Sequence, residues 1–150
     1  MPVQDVESDM LEGACHCGTV QFRVKLSDGL RSARRCTCSY CSMRGAVAVS
    51  AAAGDLEIVA GQDSLATYRF NTGVATHHFC IRCGIYTHHG RRSIPDQLGI
   101  NVACLGVSPF DFAAVPVLDG QNHPSDPGNQ SRVAGVLRFE AAPAAAERHG

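Results

Sequence analysis

The sequence predicts a mostly β, single-domain protein, and three observations support this prediction. Apolar and polar residues alternate in several short runs, glycines recur between these runs, and no run keeps helical spacing for more than a turn or two. The chain has 150 residues, the length of one domain, and 45% of them are hydrophobic, which is enough for a core. We therefore expect short, mainly antiparallel strands around one core.

The expected strands follow one another along most of the chain. The clearest covers residues 20–26, where apolar and polar side chains alternate strictly. Further strands are expected at 46–50, 56–59, 65–70, 74–79, 86–89, 98–104 and 133–139. Asn71, Thr72 and Gly73 predict a hairpin turn between the two strands that flank them. Residues 122–130 are rich in Pro, Gly, Asn and Ser and predict an exposed loop.

The two ends of the chain differ from the middle in composition. Residues 1–12 are acidic and contain no apolar run, so they predict a flexible lead-in and no signal peptide. Residues 141–150 carry little apolar surface and predict a flexible tail, which leaves 13–140 as the folded domain. No stretch approaches the length of a membrane span, so no membrane partner is expected.

Charge and cysteine usage restrict the setting in which the protein works. The formal net charge is −1, which offers no basic field for a nucleic acid. Eight cysteines without a secretion signal, several of them two or three residues apart, indicate metal ligation in a reducing cytoplasm rather than disulfides. We therefore expect a cytoplasmic protein that binds metal and no nucleic acid.

Four cysteines form two pairs with ligand spacing. Cys15 and Cys17 are two residues apart, so on an extended backbone both sulfurs face the same way. Cys80 and Cys83 have the spacing of a knuckle, in which a tight turn holds two thiolates over one metal. Together they predict a closed site, here called the four-cysteine group. One zinc there would close a chain loop of about sixty residues and so stabilise the fold.

Cys36, Cys38 and Cys41 form a second cluster, here called the three-cysteine group. Zinc takes four ligands, so this group leaves one position for a distant side chain or for substrate. Cys104 is the candidate for a fourth ligand. It also shares an apolar face with residues 98, 100 and 102, which favours a buried cysteine that acts as a small hydrophobe.

The cysteine motifs and their surroundings resemble the glutathione-dependent formaldehyde-activating enzyme family, which also includes centromere protein V. The matching pieces, in family order, are Gly13-x-Cys15-x-Cys17-Gly18-x-Val20-x-Phe22, Cys36-x-Cys38-Ser39-x-Cys41, Phe79-Cys80-x-x-Cys83-Gly84 and Asn101-Val102-x-Cys104-Leu105. The resemblance implies a zinc-containing β-tent of small antiparallel sheets. It also implies two zinc ions, a structural one on the four-cysteine group and a second, more labile one on the three-cysteine group beside the active site.

The activity that the resemblance implies is that of a carbon–sulfur lyase, which joins or splits glutathione and formaldehyde as an S-(hydroxymethyl)glutathione synthase does. A zinc with three thiolate ligands is a weak Lewis acid, so we expect it to deliver a thiolate rather than to activate a carbonyl. Thr37, Ser42 and Ile85 depart from the residues common in the family. These departures flank the implied active site and therefore bear on the substrate more than on the fold.

Two other classes of function remain open from the sequence. A non-catalytic zinc module that binds a protein partner would have its second site closed by Cys104 or a histidine. An enzyme like methionine sulfoxide reductase would need a free nucleophilic cysteine, and Cys104 is the spare one.

Several polar residues are weaker candidates for a functional role. The histidine pairs 77–78 and 88–89 would each place one ring inward and one outward on a strand, where core or surface roles are common. Arg91 and Arg92 could pair with the carboxylates of glutathione, although an exposed basic turn also accounts for them. Tyr40 is a candidate to line the pocket, and Ser39 is a candidate donor to a bound thiolate.

Overall fold

The structure is a computed structural model that describes residues 10–70, 72–92 and 94–144. Residues 1–9 of the predicted lead-in and residues 145–150 of the predicted tail therefore lie outside the described residues. Strand β1 begins at Leu11, because its backbone pairs with β2 from that residue onward.

In the described part of the chain, ten strands form two sheets. The larger sheet contains β1 (Leu11–Ala14), β2 (Gln21–Leu26), β4 (Ala48–Ala60), β5 (Leu65–Tyr68), β6 (Thr76–Cys80), β7 (Tyr86–Gly90) and β8 (Gln97–Asn101). Its order is β1-β2-β4-β8-β7-β6-β5, and every neighbouring pair is antiparallel. The prediction of a mostly β single domain with small antiparallel sheets is confirmed.

The smaller sheet contains β3 (Arg35–Cys36), β9 (Val115–Leu118) and β10 (Val133–Leu137), in the order β10-β9-β3. Strands β9 and β10 are antiparallel, whereas β3 and β9 are parallel. Within the residues that the structure describes, one short helix, α1 (Ser39–Arg44), follows β3, and two 3₁₀ turns cover Gln62–Ser64 and Val102–Leu105. Among the described residues, no helix has the length and apolar character needed to cross a bilayer.

The core joins the two sheets. Its most buried side chains come from β2, β4, β8 and the 3₁₀ turn after β8, and Val115 at the start of β9 adds the contact from the smaller sheet. The fully buried members of this core are Phe22, Val24, Val49, Ala51, Ile100 and Val102. Removing such side chains from water is the main favourable contribution to folding.

Three predicted elements differ in detail from the structure. The predicted strands at 46–50 and 56–59 are parts of one strand, β4, which begins at Ala48. Its pairing with β2 shifts register so that the chain between Ala51 and Leu56 bulges past its partner. The strand predicted at 98–104 ends at Asn101, because the Asn101 side chain accepts the N–H of Ala103 and starts a 3₁₀ turn. Strands β5 and β6 pair antiparallel on either side of Gly73 but stop at Tyr68 and Thr76, and Asn71 of the predicted turn lies outside the described residues.

Candidate functional site

The four-cysteine group connects the chain just after β1 to the end of β6. Its four sulfurs all lie within 4.8 Å of one another. The Sγ of Cys17 is 3.7 Å from that of Cys15 and 3.8 Å from that of Cys80. In a tetrahedral zinc–thiolate site with bonds of about 2.3 Å, neighbouring sulfurs are about 3.8 Å apart. The spacing therefore fits one zinc ion with four sulfur ligands.

The backbone around these cysteines is arranged as in a metal knuckle. The N–H of Val20 donates to the Sγ of Cys15 at 3.3 Å, and the N–H of Arg82 donates to the Sγ of Cys80 at 3.3 Å. Gly84 has a positive φ, which suits the tight turn of a knuckle, and donates its N–H to the Cys80 carbonyl at 2.7 Å. An N–H that donates to a sulfur stabilises the thiolate, which is the form that binds metal.

The three-cysteine group lies where β3 passes into α1. Cys36 ends β3, and Cys38 is the N-cap residue of α1, so the first helical turn carries Cys41 back toward it. The N–H of Cys38 donates to the Sγ of Cys36 at 3.4 Å, and the N–H of Cys41 donates to the Sγ of Cys38 at 3.3 Å. The Cys36 and Cys41 thiols, as hydrogen-bond donors, lower the pKa of Cys38 to about 2.

The three sulfurs of this group also lie within 4.8 Å of one another. In the part of the chain that the structure describes, no fourth His, Cys, Asp or Glu offers a ligand atom that close to all three. The group instead lines a cavity of about 410 Å³. The geometry therefore fits a metal ion held from one side, with its remaining position facing the cavity.

Residues 119–121 form a loop that packs directly against the three-cysteine group. A Cβ on Gly120 would stand 2.3 Å from the Sγ of Cys36, so only glycine fits there without a shift. The hydroxyl of Thr37 accepts the N–H of Gly120 at 3.0 Å and that of Gln121 at 3.3 Å. Thr37, which departs from the family pattern, therefore fixes this loop to the cysteine segment.

A buried carboxylate holds the same loop. Asp119 accepts hydrogen bonds from the backbone and side-chain N–H groups of Asn122 and from the Nε of Arg132 at 2.7 Å. These donors, with the Asn122 backbone N–H the strongest, lower the pKa of Asp119 to about 2. The loop is thus anchored at both its cysteine side and its far side.

Arg44 and His77 form the cavity wall beside Cys41. Arg44 donates from Nη2 to the Sγ of Cys41 at 3.4 Å and from Nη1 to the Nδ1 of His77 at 2.9 Å, and it stacks on the Tyr86 ring at 3.8 Å. Because a guanidinium only donates, Nδ1 of His77 accepts and Nε2 carries the proton of the neutral ring. Burial, and then the charge of Arg44, lower the pKa of His77 to about 4.

The Nε2 of His77 is buried and has no hydrogen-bond partner among the described residues. The Nε of Arg44 is in the same position. Buried polar atoms without partners are rare in folded proteins and gather at functional sites. This wall of the cavity therefore holds two N–H donors, on Arg44 and His77, that have no acceptor among the described residues.

The structure separates the remaining candidates. His77 and His89 are cross-strand partners that line the cavity, whereas His78 and His88 stack on each other at 4.4 Å. Tyr40 does not line the cavity; its ring packs against that of His77 at 4.3 Å. Cys104 is buried in the apolar core, and burial raises its pKa to about 12.

Sequence reasoning gave no role to Arg34, Arg44, Asp119 or Gly120, which the structure brings to this site. Local signals existed for Arg44, which follows Cys41 by three residues and shares its helix face, and for Arg34, which precedes Cys36 by two residues. Asp119 and Gly120 reach the site only through sheet pairing and loop packing.

Comparison with known proteins adds independent findings. The family profile described as glutathione-dependent formaldehyde-activating enzyme matches residues 10–114. The chain belongs to this family. A Halomonas elongata protein, provisionally named a glutathione-dependent formaldehyde-activating enzyme, is 35% identical over 82 residues, which cover 49% of this chain and 52% of that protein. The match thus spans about half the length of this curated relative.

A solved structure supports the fold of the chain. The crystal structure of a Rhodobacter sphaeroides protein superposes with a TM-score of 0.70 at 51% identity. It covers 71% of this chain and 99% of that protein. The fold of the chain is therefore that of a solved relative, and the chain itself carries two groups of clustered cysteines.

Proposed function

We propose that this family member is a zinc-dependent carbon–sulfur lyase that joins or splits a glutathione-like thiol and a small aldehyde such as formaldehyde. The observation that supports the proposal is the three-cysteine group, whose sulfurs converge from one side while the other side faces a cavity of about 410 Å³. In this proposal the four-cysteine group holds a structural zinc and the three-cysteine group holds the second one.

The reaction adds an S–H across a C=O bond. A C–S bond forms, the carbonyl π bond breaks, and the thiol proton ends on the former carbonyl oxygen, so no oxidant or reductant is needed. The second zinc would supply a fourth ligand position at which a thiol loses its proton. Each of its three cysteines would be neutralised in part by that ion, and Arg44 donates to the Sγ of Cys41.

The residues of the chain would position the reactants around that ion. The loop at Gly120 holds Cys36 and Cys38 from one side, and α1 holds Cys41 from the other. His77 keeps a proton on Nε2 because Arg44 occupies Nδ1. A modest rearrangement of this wall would let that N–H donate to the oxygen of the aldehyde or of the adduct.

Exchange NMR between glutathione and its formaldehyde adduct tests the proposal. The zinc-loaded protein should speed the exchange above the uncatalysed rate, and Cys38→Ser should remove both the second zinc and the acceleration. Cys104→Ser is the matched control, since it changes a cysteine outside both groups. If the two-zinc protein gives no acceleration, the lyase proposal is wrong. A protein that holds one zinc, on the four-cysteine group, would favour a non-catalytic module that binds a partner.

A further inference from the structure

Six arginines line the cavity beside the three-cysteine group: Arg34, Arg35, Arg44, Arg91, Arg92 and Arg132. Three of them already contact an anionic group or a thiol of this protein. Arg132 pairs with Asp119 at 2.7 Å, Arg92 pairs with Asp126, and Arg44 donates to Cys41. The positive charge of the cavity therefore exceeds what its own side chains neutralise.

Arg34 is the most deeply placed of the remaining three. It is 8% exposed, and its Nη1 donates to the Ser32 carbonyl at 3.2 Å and to the Ser50 hydroxyl at 2.8 Å, both neutral acceptors. Its Nε and Nη2 have no hydrogen-bond partner among the described residues, since both bonds use Nη1. Burying a guanidinium without an anion is costly, so a carboxylate at these two atoms would be strongly favoured.

Arg91 lines the same cavity as Arg34. Its Nη1 donates to the side-chain oxygen of Gln97 at 2.5 Å, again a neutral acceptor, and no carboxylate of the described residues lies within ion-pair distance of it. Both guanidiniums line the cavity together with Cys36, and a guanidinium keeps its charge at neutral pH.

We propose that Arg34 and Arg91 form a subsite that binds a carboxylate of the substrate beside Cys36, an inference that rests on the thiol–aldehyde function proposed above. A carboxylate can accept from the free N–H groups of both guanidiniums and neutralise their mutual repulsion. The carboxylate belongs either to the thiol, as in glutathione, or to the aldehyde, as in an oxo acid such as glyoxylate. Arg92, which the sequence grouped with Arg91, is occupied by Asp126.

Binding and exchange measurements on the zinc-loaded protein test the subsite. Binding is followed by NMR titration with S-methylglutathione, its diethyl ester, glyoxylate and acetaldehyde, so that each carboxylated probe has a partner without the charge. Exchange is followed with glutathione or its diethyl ester, each with formaldehyde or glyoxylate. The variants are Arg91→Gln and Arg34→Lys, which keeps the charge but loses the planar fork. Arg31→Gln, at an exposed position outside the cavity, is the control.

We expect the wild type to bind one carboxylated probe at least about tenfold more tightly than its uncharged partner, and both variants to remove that preference. The zinc content and the affinity for uncharged probes should stay unchanged. The probe that responds identifies whether the thiol or the aldehyde carries the carboxylate.

Three results would overturn the subsite: equal affinity for charged and uncharged probes in the wild type, equal weakening of both by the variants, or loss of the second zinc in the variants. Loss of the second zinc would mean that the two arginines stabilise the zinc-binding thiolates and do not bind a substrate. If no pair of reactants exchanges but the carboxylate preference and its loss are seen, the lyase proposal fails and the carboxylate subsite stands.

Discussion

Replacing Gly120 by alanine should damage the three-cysteine group and leave the four-cysteine group intact. The added Cβ would stand 2.3 Å from the Sγ of Cys36 and 2.9 Å from the Cβ of Cys38. Non-bonded heavy atoms of this kind rest at about 3.5 Å or more, so the loop and the cysteines must separate by roughly 1 Å. Zinc–ligand distances tolerate about 0.2 Å, so the thiolates cannot absorb this shift and keep their geometry.

The size of the effect follows from the cost of overpacking. An extra methyl group in a well-packed place typically costs about 1–3 kcal/mol. If that cost appears in metal binding, the second zinc should bind about five- to 150-fold more weakly. The first zinc should keep its affinity, because its ligands come from the ends of β1 and β6 and not from the 119–121 loop.

Titration with a chromophoric zinc chelator, combined with metal analysis of the purified protein, measures both affinities. Gly54→Ala is the matched control, because a Cβ there meets nothing within 4 Å and its φ is ordinary. The Gly120→Ala variant should lose its weaker zinc at a lower chelator concentration while circular dichroism stays unchanged. Wild-type affinity at both sites would show that the loop does not press on Cys36. Loss of both ions together would show that the two groups are not independent.

Three further predictions concern other residues of the site and the core. Cys104→Ser should leave thiol–aldehyde exchange within about twofold of wild type, because Cys104 is buried and its pKa is raised to about 12; loss of exchange would support the reductase-like class. Thr37→Val should lower the melting temperature and weaken the second zinc, because the partly buried N–H of Gly120 loses its acceptor at about 1–3 kcal/mol, whereas the exposed N–H of Gln121 can turn to water; an unchanged chelator titration would refute this. Burial, and then the charge of His78, lower the pKa of His88 to about 3. Below about pH 6.5 the His88 ring therefore takes up a proton in the unfolded state but not in the folded state, which lowers the stability of the fold. Between pH 7.5 and 5.5 this histidine should cost the wild type about 1.4 kcal/mol of unfolding free energy, measured with denaturant at saturating zinc, and His88→Gln should lose correspondingly less.

The spacing of the cysteines was sufficient to predict which of them cluster. Two ligands separated by one or two residues meet one ion through local backbone geometry alone, which is why Cys36, Cys38 and Cys41 could be grouped without a structure. Alternation in residues 20–26 likewise reports directly on a strand with one buried face, and β2 has that pattern of burial.

Other elements carried too little local information. Strand β3 has two residues and strand β9 four, so neither shows a period, and both depend on pairing with each other. Cys104 follows an alternating run, but the hydrogen bond from the Ala103 N–H to the Asn101 side chain turns the chain before the cysteine is reached.

The amino-acid sequence by itself determined the β class, the two cysteine groups and the family to which the chain belongs. The tertiary structure alone decided what surrounds the three-cysteine group. Gly120 lies against Cys36, and Arg91 lines the same cavity as Arg34, although each pair is far apart along the chain. Such contacts are set by the order of strands in the sheets and by loop packing, which depend on the whole core and leave no periodic trace in the residues concerned.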